Sequence, residues 1–67
     1  MAVKFFELHE NGRPVEEARY GKIIGPLLLW KEHPQTREVV EVDDSGNVIR
    51  RYSAEECTAL LRAMNVY

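Results

Sequence analysis

Apolar and polar residues alternate along much of the chain, and turn-forming residues break the alternation at short intervals. Over residues 3–9, Lys4, Phe6 and Leu8 share one side of an extended chain, while Val3, Phe5, Glu7 and His9 share the other. Asn11-Gly12 follows, a pair that tolerates positive φ and closes two-residue hairpins. The return strand is expected over residues 15–20, after Pro14, which has no N–H to give to a ladder. The alternative is a short helix that starts at Pro14 and runs through Glu16, Glu17 and Ala18.

Gly21, Gly25 and Pro26 punctuate the next stretch, and Leu27-Leu28-Leu29-Trp30 is a continuous apolar run. Its shortness and its flanking prolines predict a strand covered on both faces. Residues 38–43 put Val40 and Val42 on one side, Val39 and Glu41 on the other. The turn residues Asp44-Ser45-Gly46-Asn47 and a return over residues 48–52 complete a second hairpin.

Ser53-Ala54-Glu55-Glu56 has the form of a capping box, with Ser53 as N-cap and Glu56 at the third helical position. Ala54, Cys57, Leu60, Leu61 and Met64 then recur at helical spacing. A helix is expected over residues 54–64, ended by Asn65. These elements predict an α+β fold: a small antiparallel β-sheet meander of four to five strands with one C-terminal α-helix packed on it. One helix covers only one face of such a sheet. The second apolar set must either stay exposed as an interaction patch or be hidden by curling of the sheet toward a barrel.

Composition narrows the function classes. With 67 residues the chain is expected to form a single domain, residues 1–67, with a thin core and no deep enclosed pocket. Nine basic against eleven acidic residues give a net charge of -2, which argues against broad electrostatic attraction to nucleic acid or anionic lipid. The single cysteine, Cys57, allows no internal disulfide and favours a reducing, cytoplasmic setting. No apolar run has transmembrane length, and the N-terminal residues lack the pattern of a signal peptide.

Motif chemistry has a plainer explanation at each position. His9, His33 and Cys57 are scattered singles, not the closely spaced pairs of a zinc site. The acids of residues 43–47 do not alternate as in a calcium loop and suit a hairpin turn. Cys57 lies on the inner helical stripe, where it acts as a small hydrophobe and not as a nucleophile. Glu16-Glu17 and Asp43-Asp44 point to opposite faces of strands, and Glu55-Glu56 serves the helix start. Gly21 and Gly25 lack the spacing of a phosphate-binding loop. No catalytic, cofactor-binding or metal-binding residue is therefore expected, and no cofactor.

Two surfaces carry the expectation of function. Phe5, Trp30, Arg50 and Tyr52 supply aromatic and arginine anchors on the sheet. Ala59, Arg62 and Ala63 lie on the outer face of the helix, which carries few charges and would let another element approach closely. The expected function is a small non-catalytic protein-interaction module, a regulator or inhibitor that binds another protein or a second copy of itself. Antitoxin, immunity and phage or mobile-element inhibitors set the class-level precedent. The alternative is a nucleic-acid-binding regulator that uses a basic and aromatic sheet face. A membrane is not an expected partner.

Overall fold

Asn11 and Gly12 both take positive φ, 53° and 82°, which is what a two-residue hairpin turn asks of its central residues. They join β1 (Lys4–Glu10) to β2 (Arg13–Tyr20). After α1 (Ile24–Trp30) come β3 (Arg37–Asp43), β4 (Val48–Tyr52) and α2 (Ala54–Ala63). This structure, a computed structural model, describes residues 4–66 and, at residues 16–18, the backbone alone. Val3, the expected start of the first strand, lies outside the described residues.

The four strands form one antiparallel sheet in the order β2-β1-β3-β4. The α+β class and the C-terminal helix are as the sequence predicts, and the strand reading of residues 15–20 holds. The strand starts at Arg13, so Pro14 sits inside β2, which an edge position tolerates. The chain departs from a continuous meander at one point. β2 and β3 both run antiparallel to β1 and flank it, so the connection between them crosses the sheet. The sheet does not close: among the described residues β2 and β4 are its two edges, and the barrel expectation is corrected.

The strand expected at residues 27–30 is a helix, and this is the main correction. α1 makes the crossover, and a crossover between parallel strands is usually helical. Pro26 falls in the first turn of α1, where a missing N–H costs nothing. Helical spacing also turns Leu27 and Trp30 to the same side, where they are 0% and 3% exposed; Leu28 points outward. With seven residues and no side-chain cap, α1 depends on this burial. Arg37 adds a tie: its Nη1 donates to the Leu29 carbonyl at 2.6 Å and its Nε to Glu10 Oε2 at 3.2 Å.

Both helices contribute to a core on one face of the sheet. Leu8 of β1 and Val39 of β3 meet Leu27 and Trp30 of α1 and Cys57 and Leu61 of α2. The opposite face holds Val40 and Val42, which are fully buried beside their cross-strand neighbours Phe5, Glu7, Val48 and Arg51. Polar side chains pair on that face: Arg19 and His9 both contact Glu7, at 3.0 and 3.2 Å, and Arg51 contacts Glu38 at 2.7 Å.

The caps of α2 are those its sequence calls for. The Ser53 side chain accepts from the Glu56 N–H at 3.1 Å, and Glu56 Oε1 accepts from the Ser53 N–H at 3.1 Å. At the other end Asn65 takes φ 58°, and the Val66 and Asn65 N–H groups donate to the carbonyls of Leu61 and Arg62, a Schellman motif. Two residues of the expected inner stripe, Ala54 and Met64, stand at the helix ends and are exposed.

Candidate interaction groove

β3 and β4 pair Glu41 with Arg50 and Val39 with Tyr52, so Arg50 and Tyr52 project toward the helices. There they form one wall of an open groove of about 390 Å³. Phe6 of β1 and Ile23 line it on the sheet and α1 side, and Ala59 and Leu60 of α2 line it opposite. Its walls are mainly apolar, and an ion pair stands at its mouth.

That ion pair is positioned by the helix start. Glu56 caps Ser53 with one carboxylate oxygen and accepts Arg50 Nη2 with the other, at 2.7 Å. The backbone N–H of Ser53 and then the Arg50 guanidinium hold the Glu56 carboxyl below its ordinary range. Bonding to Glu56 in turn raises Arg50. Fixed in this way, the Arg50 guanidinium lies over the Tyr52 ring, 4.4 Å from its centroid, a cation–π contact. Phe6 and Tyr52 meet at a 6.4 Å centroid distance and a 54° tilt.

Tyr52 reaches behind the groove to Glu41, its hydroxyl donating to Oε1 at 3.4 Å, and Lys4 Nζ approaches Oε2 at 3.4 Å. Burial pushes the Tyr52 phenol up, against a lowering influence from Arg50. Arg50 and Tyr52 thus form a stacked amphipathic pair, apolar in body and polar at the rim.

The other residues expected at interaction surfaces are divided by the fold. Phe5 lies on the opposite sheet face, with the Arg19 guanidinium 5.3 Å from its ring centroid. Trp30 is corrected outright: it is a core residue of α1, 3% exposed, and not on the sheet at all. Ala59 lies where the groove meets a second shallow groove of about 360 Å³ along α2, which Arg62 also lines. Ala63 is exposed beyond both. Phe6, Ile23, Glu56 and Leu60 were not expected at a surface site. Phe6 alternates with the core residue Leu8, so its face was legible, but its neighbours were not.

Cys57 is fully buried, and its thiol is pushed up to about 11 by that burial and by the charges of Glu56 and Glu38. Asp43 accepts from the N–H groups of Ser45 and Asn47, both at 2.9 Å, so its carboxylate is spent on the turn. Among the described residues no three His, Cys, Asp or Glu side chains come together in a way that would hold a metal ion. No helix among them is long and apolar enough to cross a membrane. No family model, curated protein or solved structure matches the chain.

Proposed function

We propose that the chain is a small non-catalytic interaction protein that regulates or inhibits another protein by binding it through the Arg50–Tyr52 groove. The observation that carries this reading is the Arg50–Tyr52 stack at the mouth of an apolar groove. Tyrosine and arginine are enriched at interface hot spots because they bury a large apolar surface while keeping a polar tip, and here they stack on one another. Lys4 and Arg50 each sit against a carboxylate and the chain carries a net charge of -2, which weighs against the nucleic-acid alternative.

Ala59 offers the cleanest test, because it lines the groove and is exposed. Immobilised protein, an Ala59→Glu variant and a Lys31→Glu control on an exposed loop position are compared for proteins captured from a lysate of the source cells. A partner held by the first and third and lost by Ala59→Glu, with the circular dichroism of all three unchanged, supports the reading. Capture unaffected by Ala59→Glu overturns it.

A further inference from the structure

We propose that the free edge of β4 receives an extended strand from a partner protein, with apolar side chains toward the groove and acidic side chains toward Arg51. This rests on the reading of the groove as a protein-binding surface and says what enters it.

β4 ends the sheet, and among the described residues its backbone bonds only to β3. Its outer N–H and C=O groups are a row of donors and acceptors that another extended chain can satisfy. Val48 and Ile49 on this edge are 37% and 50% exposed. The opposite edge is a poorer site, because β2 contains Pro14, which has no N–H to offer a further strand.

The groove gives the edge side-chain selectivity. Alternate residues of an added strand fall on alternate faces. Those on the helix side would lie beside Arg50 and Tyr52, over the apolar groove. Those on the other side would lie beside Arg51, whose side chain is 61% exposed. Arg51 spends Nη1 on Glu38 at 2.7 Å, and a guanidinium has further N–H groups to offer. A carboxylate on the incoming strand meets them.

Charge also decides against a second copy as the occupant. β4 reads Val48-Ile49-Arg50-Arg51-Tyr52 and contains no acid. Edge-to-edge pairing of two β4 strands would bring arginines near arginines, which destabilises a sheet.

The test uses three synthetic peptides of β4 length, capped at both ends. One alternates isoleucine and glutamate, one alternates isoleucine and lysine, and the third is the glutamate peptide N-methylated at alternate amides. Binding is read from amide shifts of isotope-labelled protein. The glutamate peptide should shift the amides of β4 and of the groove. Lysine or N-methylation should each weaken it by at least about tenfold, a large effect on any affinity scale. Arg51→Glu, an exposed substitution checked for folding by circular dichroism, should reverse the preference between the glutamate and lysine peptides. Strand addition is overturned if no peptide binds at millimolar concentration, if N-methylation has no effect, or if the shifts map to β2. Capture of a partner that Ala59→Glu still abolishes would then leave the groove reading standing alone.

Discussion

The ring of Tyr20 fills the space that a side chain at residue 25 would need: a Cβ built on Gly25 lies 2.6 Å from its Cδ1 and 2.7 Å from its Cγ. These atoms are at the base of a ring packed against the core, so they cannot swing away cheaply. Alanine at position 25 would gain about 1 kcal/mol of helix propensity. Overpacking costs about 1–3 kcal/mol and acts against that gain. Gly25→Ala is therefore expected to lower stability, seen as a lower midpoint in thermal unfolding.

Trp30 is the anchor of α1 in the core, so Trp30→Ala should behave as a folding variant and not as a binding variant. Removing a buried tryptophan costs about 3–5 kcal/mol, comparable to the whole stability of a small domain. Urea unfolding followed by circular dichroism should show little or no folded baseline, while Trp30→Phe should retain one.

Arg37 holds the last turn of α1 through the Leu29 carbonyl, and its side chain is only 17% exposed. Arg37→Met keeps much of the aliphatic stem and removes the bonds. The expected loss is about 2 kcal/mol, the usual range for hydrogen bonds to a charged group. A lower urea midpoint with a folded baseline retained and an unchanged slope is the predicted result.

The capping box gives a prediction about acid. Ser53→Ala should cost about 1 kcal/mol in denaturant unfolding, as for other N-caps. Glu56, Glu10 and Asp43 all have folded-state values held below their ordinary ones of 4.5, 4.5 and 3.8. The stability they contribute is present above those ordinary values and is lost as pH falls through the folded ones. Stability should therefore decline below about pH 4.5, and Glu56→Gln should flatten that decline.

Cys57 gives the opposite limb. Its thiol is raised from 9.0 to about 11, so the folded chain holds a proton that the unfolded chain releases in that window. Stability should fall as pH rises from 9 toward 11. Cys57→Ala should lessen the slope. Native protein should resist a thiol reagent near neutral pH and react only when unfolded.

Several elements were legible from the sequence because their signals are local. Ser53 and Glu56 fix the start of α2, and Asn65 its end, through bonds within the helix and its flanks. Asn11-Gly12 and residues 43–47 specify their turns because the required φ values and side-chain bonds belong to those residues themselves. The alternation at Val39–Val42 gives β3 its two faces, one on the helices and one on the ion-paired side.

The tertiary structure decided the rest. Residues 24–30 carry Gly and Pro and an unbroken apolar run, a pattern that also fits a buried strand. Only the position of β3 beyond β1 requires a crossover there, and the crossover makes the run a helix with Leu27 and Trp30 inward. For the same reason Trp30 could not be assigned to the core, nor Phe6, Ile23 and Leu60 to one groove, from spacing alone. Arg50 and Glu56 stand close in the sequence, but their contact depends on how β4 hands the chain to α2. Hydrogen bonds between near neighbours are written in the chain, whereas a surface assembled from β1, α1, β4 and α2 exists only when long-range packing brings them together.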